Sequence, residues 1–515
     1  MSKKQPNYNW KKQALEEGQR NNLLNKYAVY KADKDGKKTK DIVLPNLGQL
    51  IWSEYDYHFK TTKDNQQIYR YNGGYYTPDG EQIINNKVEE FLGEDCREHY
   101  KKEVVGWIRD KEPAVKRSIF DVAPHLINLR NGIYNIKTKK LIQHSSKYFF
   151  INEIPVKYKK KSDCPKIKQF LSEVNYEEDI PVVQEFMGYC LYRKYIIHKA
   201  CMLVGGGRNG KSTLIYLLEH FLGSDNVESK ELVTLLNYRF SMSDLYGKLL
   251  NAMAEISNQA INYSGIFKHL TGGDLVSGEV KHKGSIRFHN FAKFMFSCNE
   301  LPKTEDKTYA YYFRWIILFF PNTFEKKTCD PNILEKLTTE EELSGLFNFA
   351  AEGLDRLLKQ KDFSYSRSVD EVAEIYETMS DPVYAFCKEF VTNGVMGRHI
   401  LKDDFYQEYV IWCKNRKIAI TPKNMLSREL PKHLHDIRDG RIGSAGNQKR
   451  AYMNIDWKKD EHGNIMLPSK ANNIPAITQS GIAPFASGSK QTINTSLKVE
   501  TDPVGSIVER DAERV

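Results

Sequence analysis

The sequence predicts an α/β protein with a core of alternating strands and helices, an α+β domain before that core and a mainly helical domain after it. Three observations carry this prediction. Residues 204–214, VGGGRNGKSTL, place a glycine-rich loop between an apolar run and a helical one. Short apolar runs alternate with helical segments through residues 196–360, as in α/β folds. Hairpin signals precede this region and amphipathic helices follow it.

Composition describes an ordinary folded chain with an excess of positive charge. The chain has 515 residues, of which 40% are hydrophobic and 28% charged, and its formal net charge is +10. At roughly 100–200 residues per domain, this length suggests three or four domains. The charge weakly favours a polyanionic partner, and a basic enzyme without one explains it equally well.

Targeting signals and cysteine pairs are not evident in the sequence. No apolar run reaches the ~18–20 residues of a membrane span, and the N-terminus lacks the apolar core of a signal peptide. We therefore expect a cytoplasmic protein without a membrane contact. The eight cysteines form no C-x-x-C pair, which argues against a zinc ribbon and favours reduced thiols in the core.

Five segments follow one another along the chain. Residues 1–45 form a polar, basic extension with a helical stretch around residues 10–30, and residues 46–195 form the α+β domain. Within that domain, NGG at 72–74 and RNG at 130–132 predict two hairpins, and residues 164–174 predict a helix. Residues 196–375 form the core and residues 376–460 the C-terminal domain. The Ser-, Thr- and Gly-rich tail, residues 461–515, is predicted to be disordered.

The glycine-rich loop fits the phosphate-loop pattern G-x-x-x-x-G-K-[ST]. Glycines allow successive backbone N–H groups to turn towards phosphates, and the following helix adds the positive end of its dipole. Lys211 is expected to reach the β- and γ-phosphate oxygens, and Ser212 to bind Mg²⁺. The pattern therefore predicts ATP and Mg²⁺ as cofactors. The expected ATP site comprises Gly205, Gly206, Gly207, Arg208, Asn209, Gly210, Lys211, Ser212 and Thr213.

Two further apolar runs end in polar residues that suit hydrolysis. Glu255 follows the run at 249–254 and is expected to hold the Mg²⁺ water shell or polarise the attacking water. Two adjacent acidic residues would divide these two tasks, but Ala254 precedes Glu255. The catalytic base therefore has no unique assignment. Asn299 follows the run at 293–297 and is expected to sense the γ-phosphate. An ordinary strand-end glutamate and a turn asparagine are the alternatives.

Arg314 precedes a third apolar run, at 316–320. An arginine at the edge of such a strand is expected to reach the γ-phosphate of a neighbouring subunit, where it would stabilise transition-state charge. A surface or ion-paired arginine is the alternative. The expected catalytic set is Lys211, Glu255, Asn299 and Arg314.

Taken in order, GGGRNGKST, NAMAEIS, TGGDLVSGEVKHKG, FMFSCNELP and YYFRWIILFF resemble superfamily 3 helicases. The likeness is to the phage and plasmid primase-helicases related to the poxvirus primase-helicase, and it covers roughly residues 50–460. It implies an AAA+-like P-loop ATPase core, an N-terminal helicase-associated domain and a ring, with a hexamer as the expected form. It also implies translocation in the 3′→5′ direction.

The resemblance gives a role to a basic turn and sets one limit. Residues 276–288 are predicted to form a hairpin whose tip, Lys281, His282 and Lys283, would track single-stranded DNA in the ring channel. A solvated charged turn is the alternative. Only about 50 residues precede the helicase-associated domain, which is too few for a primase domain, so a separate primase is the expected partner.

The C-terminal domain is predicted to be a winged helix. Phe405, Tyr409 and Trp412 lie on one face of a helix over residues 404–416. Residues 421–435 form the predicted recognition helix, with Lys423, Arg428 and Lys432 exposed towards DNA, and residues 436–452 the wing. A winged helix that contacts only protein is the alternative. In the tail, residues 479–486 partly resemble a sliding-clamp-binding peptide, although a spacer is the better interpretation.

Together these features predict an ATP-dependent replicative DNA helicase of a virus, plasmid or other mobile element. Its expected partners are single-stranded and forked DNA and further copies of itself. A DNA-binding replication initiator or regulator, switched by ATP and lacking processive unwinding, is the main alternative. A small-molecule kinase ranks lower because the GEVKHKG segment and Arg314 have no obvious task in one.

Overall fold

The structure, a computed structural model, describes most of the chain between Tyr27 and Lys470. The described residues are 27–32, 38–53, 58–111, 113–120, 122–238, 240–256, 264–280, 284–325, 329–416, 418, 420–444 and 446–470. The predictions for Lys281, His282 and Lys283, for most of the N-terminal helical stretch and for the clamp-binding peptide lie outside these residues.

Hairpins and helices make up the N-terminal part. Its strands are β1 (Ala28–Ala32), β2 (Lys38–Ile42), β3 (Phe59–Thr61), β4 (Ile68–Tyr71), β5 (Tyr76–Thr77), β6 (Leu126–Leu129), β7 (Gly132–Asn135) and β8 (Lys140–Ile142). Its helices are α1 (Leu44–Ser53), α2 (Gly80–Leu92), α3 (Glu98–Lys111), α4 (Pro165–Val174) and α5 (Ile180–Leu191).

The two predicted hairpins and the predicted helix are confirmed. β4 pairs antiparallel with β5 and β6 with β7, around the NGG and RNG turns. Gly132 suits its turn because its φ is +144° and a Cβ there would lie 2.6 Å from the carbonyl oxygen of Ile142. The helical stretch predicted around residues 10–30 is wrong at its C-terminal end, because Ala28–Ala32 is a strand that pairs with β2. Its Val and Tyr favour extended backbone.

The core contains the elements around the glycine-rich loop. Its strands are β9 (Ala200–Val204), β10 (Val227–Glu228), β11 (Leu250–Met253), β12 (Leu275–Val280), β13 (Gly284–His289), β14 (Lys293–Cys298) and β15 (Trp315–Phe319). Its helices are α6 (Lys211–Leu222), α7 (Leu232–Asn237), α8 (Ser264–Gly272), α9 (Tyr309–Tyr312), α10 (Ile333–Leu337), α11 (Glu340–Gln360) and α12 (Val369–Ser380).

A parallel five-stranded sheet in the order β10-β11-β14-β9-β15 organises the core. The strands β9, β14 and β15 are buried along their whole length, which explains their continuous apolar sequences. Side chains close the free edge of β15, because Tyr365 and Arg367 bond the backbone of Ile317. The predicted strands of this α/β region are confirmed, to within about one residue at each end.

Helices α5 and α11 join the N-terminal part to the core. Glu185 of α5 is completely buried, and its carboxylate accepts hydrogen bonds from Arg356 Nε at 2.5 Å and from the Ser364 backbone N–H at 2.7 Å. A buried carboxylate needs such partners. The predicted boundary at 195/196 consequently falls inside one continuous hydrophobic cluster, which runs from Ile127 to Tyr376.

A separate hydrophobic cluster lies in the C-terminal part. Its elements are α13 (Pro382–Phe390), β16 (Val391–Asn393), β17 (His399–Leu401), α14 (Lys402–Arg416), α15 (Lys423–His433), β18 (Arg438–Ile442), β19 (Lys449–Met453) and β20 (Ile455–Trp457). Phe405, Tyr409 and Trp412 are all fully buried, as their spacing on α14 predicts. The two predicted helices are present, and the antiparallel hairpin β18–β19 follows them.

The cysteines agree in part with the expectation of reduced thiols in the core. Six of the eight cysteines are buried and free, whereas Cys96 is half-buried and Cys329 is exposed, which corrects the expectation for these two. Within the described residues, no helix is both long and apolar enough to cross a membrane.

Candidate nucleotide-binding site

The glycine-rich loop leaves the sheet at the carboxyl end of β9, between two neighbouring strands. The N–H of Gly205 donates to the carbonyl of Cys298 at 3.4 Å, on the β14 side, and Phe320 N donates to Val204 O at 2.9 Å, on the β15 side. Ligands of open α/β sheets bind outside the carboxyl ends of the strands. The loop is therefore anchored on both sides at the edge where a ligand is expected.

Glycines serve two different purposes in the loop. Gly210 has φ of +90° and a Cβ there would lie 2.5 Å from Val174 Cγ1 of α4, whereas Gly205 would meet the carbonyl of Phe320 at 2.7 Å. By contrast, a Cβ on Gly206 or Gly207 would meet nothing within 4 Å. Gly205 and Gly210 thus permit the fold of the loop, and Gly206 and Gly207 leave its outer backbone open to a ligand.

Lys211 is the first residue of α6 and its side chain lies over the loop. Its Nζ donates to the carbonyls of Gly205 at 2.6 Å and Gly206 at 2.9 Å and to Asn209 Oδ1 at 2.9 Å. Only 6% of Lys211 is exposed. Burial lowers the pKa of Lys211, and the nearby Cys298 and Glu255 partly oppose that shift. The ammonium is therefore held by three neutral oxygen acceptors and by no carboxylate within hydrogen-bond distance among the described residues.

Asn209 and Arg208 hold the loop in shape. The buried Asn209 side chain bonds Lys211 and also approaches the Phe320 carbonyl at 3.4 Å. Arg208 is exposed and has φ of +58°, and its carbonyl accepts from Phe324 N at 2.8 Å. Asn209 therefore belongs to the support of the loop rather than to its open face.

Ser212 and Glu255 line the same cleft, which has a volume of about 460 Å³ and lies between α6 and β11. The N–H of Ile256 donates to Ser297 O at 2.9 Å, which fixes the residues after β11 against the end of β14. Both Ser212 and Glu255 are exposed. The structure therefore brings together the two residues predicted to hold Mg²⁺.

Sequence reasoning missed two further carboxylates of this cleft, Glu219 and Glu228. Glu219 lies two turns after Ser212 on α6, so the spacing of seven residues was the available signal. Glu228 ends β10, and its place depends on the strand order, which no local pattern reveals.

Asn299 lies at the same sheet edge as the loop. It follows β14, whose last residue, Cys298, is in register with Val204. Its side chain is exposed. Thr213, the last residue of the predicted ATP set, is half-buried in the first turn of α6.

Arg314 lies at the opposite end of the strands from the loop, where β9 and β15 begin. It precedes β15, whose first residue, Trp315, is in register with Ala200. At about 3.3 Å per residue, the strand separates Arg314 from the loop by roughly 15–20 Å. Arg314 is half-buried, and burial lowers the pKa of its guanidinium. The structure thus groups Lys211, Ser212, Glu255 and Asn299, and places Arg314 apart from them.

The predicted hairpin before β14 is confirmed, since β12 and β13 pair antiparallel from Leu275–His289 to Val280–Gly284. On the C-terminal helix α15, Lys423, Arg428 and Lys432 are exposed as predicted. Lys423 forms an ion pair with Asp403, and Lys432 one with Glu429 at 2.8 Å.

Two family models match the chain. The model described as D5 N terminal like matches residues 48–175, and a family of unknown function, DUF5906, matches residues 203–314. The first model is associated with primase-helicases and in part supports the resemblance seen in the sequence. The second begins in β9 and ends at Arg314, so it spans the loop, Glu255, Asn299 and the hairpin.

Solved structures give a weaker likeness. The A form apo structure of the NrS-1 C terminal region aligns with a TM-score of 0.43 and 14% identity, over 79% of this chain and 98% of that one. A second apo structure of that region aligns with a TM-score of 0.39 at the same identity and coverage. No curated protein matches the chain.

Proposed function

We propose that this protein is an ATP- and Mg²⁺-dependent DNA helicase of a phage, plasmid or related element, which works as a ring on single-stranded DNA. The observation that carries the proposal is the grouping of Lys211, Ser212, Glu255 and Asn299 at the carboxyl edge of one parallel sheet, with Arg314 at the other edge. The D5 N terminal like match at residues 48–175 supports it from a separate part of the chain.

The residues present suit a nucleotide and its metal. The open backbone at Gly206 and Gly207 and the N-terminus of α6 would face the phosphates, and Lys211 would exchange its loop carbonyls for phosphate oxygens. Ser212 and Glu255 would hold Mg²⁺, whose charge would stabilise the negative charge of the phosphates. Asn299 would orient the attacking water. Glu255 is the best candidate for polarising that water.

The position of Arg314 favours action between subunits. An arginine roughly 15–20 Å from its own loop, as the length of β15 implies, cannot approach a phosphate bound there without a large movement. In a ring, the corresponding edge of one subunit would face the cleft of the next, which Glu219, Glu228 and Glu255 make acidic. We therefore assign Arg314 to the active site of a neighbouring subunit, with a hexamer as the proposed ring.

Two elements would engage DNA. The β12–β13 hairpin would carry Lys281, His282 and Lys283 along one strand, in the 3′→5′ direction implied by the resemblance. The C-terminal unit would be a winged helix, with α14 and α15 followed by the β18–β19 hairpin.

The main alternative is an ATP-switched initiator or regulator that binds duplex DNA without processive unwinding. The exposed cations of the C-terminal unit favour it. A small-molecule kinase is less suitable because it leaves the hairpin and Arg314 without a task.

Unwinding of forks with a 3′ or a 5′ tail tests the proposal, with ATP hydrolysis measured with and without single-stranded DNA. A helicase is expected to unwind the 3′-tailed fork, and Lys211→Ala is expected to abolish both activities. Lys283→Ala is expected to lose unwinding and keep basal hydrolysis. Origin-specific duplex binding with no strand separation would favour the initiator, and hydrolysis that never responds to DNA would favour the kinase.

A further inference from the structure

We infer that Tyr376 is a positioning residue that links Asn299 to Arg314 within one subunit, so that the nucleotide bound at one site changes the position of the arginine offered to the next. This role of Tyr376 rests on the proposed function, in which Asn299 faces the γ-phosphate of its own subunit and Arg314 acts on that of the neighbour. Tyr376 thereby connects two successive sites of the proposed ring.

One segment of the chain joins the two functional residues. Asn299 follows β14 at the carboxyl end of the parallel sheet, whereas Arg314 precedes β15 at the opposite end. The segment between them therefore runs the length of the strands. It begins with the buried Leu301 and Pro302 and ends in α9. A displacement of Asn299 has to pass along this segment, or through the residues that hold it, to reach Arg314.

The hydroxyl of Tyr376 connects both ends of that segment. Tyr376 lies on α12 and is completely buried. Its hydroxyl donates to the carbonyl of Pro302 at 2.9 Å and lies 2.9 Å from the hydroxyl of Tyr311. Because a phenolic hydroxyl has a single proton, Tyr311 donates the second of these bonds. Pro302 comes three residues after Asn299, and Tyr311 three residues before Arg314.

A backbone hydrogen bond completes the connection to Arg314. The N–H of Arg314 donates to the carbonyl of Tyr311 at 3.2 Å. The contacts therefore run from Pro302 through two tyrosine hydroxyls to the backbone of Arg314. Burial raises the pKa of Tyr376 well above its ordinary value, so this hydroxyl keeps the proton that it donates.

Aromatic packing around Tyr376 leaves little room to absorb a movement. Its ring centroid lies 5.6 Å from that of Tyr311 and 6.3 Å from that of Trp315, and Trp315 stacks on Phe267 of α8 at 4.6 Å. All four side chains are completely buried, and a close-packed interior transmits strain. A shift of the segment would therefore pass to α9 and α8, which both bond the guanidinium of Arg314.

Hydrolysis of ATP by the full-length chain, measured without DNA over a range of ATP concentrations, tests this role. The test variant is Tyr376→Phe, which removes the hydroxyl and keeps the ring in the aromatic cluster. The matched control is Tyr312→Phe, because the Tyr312 hydroxyl also joins α9 to α12 but its partner is Glu377, at 3.2 Å.

Cooperativity between sites is the decisive measurement. We expect the wild type to hydrolyse ATP with positive cooperativity and Tyr376→Phe to do so with a Hill coefficient of about 1. The kcat of Tyr376→Phe should fall by about fivefold, as the loss of an ordinary hydrogen bond implies. The control should keep the Hill coefficient of the wild type and a kcat within about twofold of it.

A second variant, Tyr311→Phe, breaks the same connection from its other end and serves in place of Tyr376→Phe if that protein folds poorly. It should cause the same loss of cooperativity, and the double variant should lose no more than either single variant. Thermal unfolding accompanies these assays. A tyrosine with only a structural role would lower the unfolding temperature when replaced and leave the Hill coefficient unchanged.

The outcomes separate this role from the helicase proposal. No cooperativity in the wild type, or equal Hill coefficients in the wild type and Tyr376→Phe, would overturn the role of Tyr376 even if the protein unwinds forks. A wild type whose cooperative hydrolysis depends on Tyr376 but that unwinds no fork would instead contradict only the helicase proposal.

Discussion

Arg314 is held in place by Thr271, whose Oγ1 accepts a hydrogen bond of 3.0 Å from the arginine Nε. Thr271 is fully buried, and its hydroxyl donates to the carbonyl of Phe267 at 2.7 Å, so its orientation is fixed by α8. The guanidinium also donates from Nη1 to Ala310 O at 2.5 Å. Arg314 therefore occupies a defined position rather than a free one on the surface.

Thr271→Val should consequently lower ATP hydrolysis through Arg314. Loss of one hydrogen bond to a charged group costs about 1.5–3 kcal/mol, which corresponds to a fall in kcat of roughly tenfold or more, with KM for ATP nearly unchanged. Thr271→Ser keeps the hydroxyl and should retain activity. If Thr271 acts only through Arg314, adding Thr271→Val to Arg314→Ala should cause no further loss. Additive losses would contradict this coupling.

Mixed rings test whether Arg314 serves a neighbouring site. Arg314→Ala subunits and Lys211→Ala subunits should each be nearly inactive alone. When the two proteins are mixed in one ring, some interfaces would pair an intact loop with an intact arginine. The rate of ATP hydrolysis should then exceed the sum of the rates of the two separate preparations. Hydrolysis should be measured over a range of mixing ratios. An Arg314→Ala protein as active as the wild type would refute the assignment between subunits.

Two glycines of the loop provide a matched pair of variants. Gly210→Ala forces a side chain into positive φ and against Val174, so it should destabilise the fold by about 1–2 kcal/mol or more. Gly206→Ala meets no neighbour, so its unfolding temperature should match that of the wild type. Its affinity for ATP should still fall, because the added methyl group lies on the open face of the loop. Unchanged ATP affinity in Gly206→Ala would indicate that this face does not bind phosphates.

The sequence predicted those features that depend on local pattern. The hairpins at NGG and RNG, the buried strands of the core and the buried face of α14 are present because turn residues and hydrophobic periodicity are local signals. The loop and Lys211 were predictable for the same reason.

Features that depend on strand order were not predictable. Glu228 reaches the cleft because β10 lies beside β11, and Thr271 meets Arg314 because α8 packs near the start of β15. The strand at Ala28–Ala32 depends on its pairing with β2. In each case a contact between residues far apart in the sequence determines the position or the secondary structure. The residues next to it in the sequence carry no signal of that contact.

The buried Lys293 gives a prediction on pH. It is completely buried at the start of β14, and its Nζ donates to the carbonyls of Phe291 at 2.6 Å, Tyr192 at 3.0 Å and Lys194 at 3.3 Å. No carboxylate among the described residues pairs with it. Burial lowers its pKa to about 7. A lysine in the unfolded chain stays protonated up to a pH of about 10.4.

Between pH 7 and pH 9 the unfolded chain therefore binds one proton that the folded chain has lost, so the stability of the wild type should rise with pH in this window. Lys293→Met lacks this titration. The free energy of unfolding of the wild type should gain about 2 kcal/mol on that of Lys293→Met between pH 7 and pH 9, whatever the offset between them at pH 7. Lys359→Met, at an exposed position, is the control and should follow the wild type. Parallel stability profiles for the wild type and Lys293→Met would show that Lys293 keeps its proton in the folded protein.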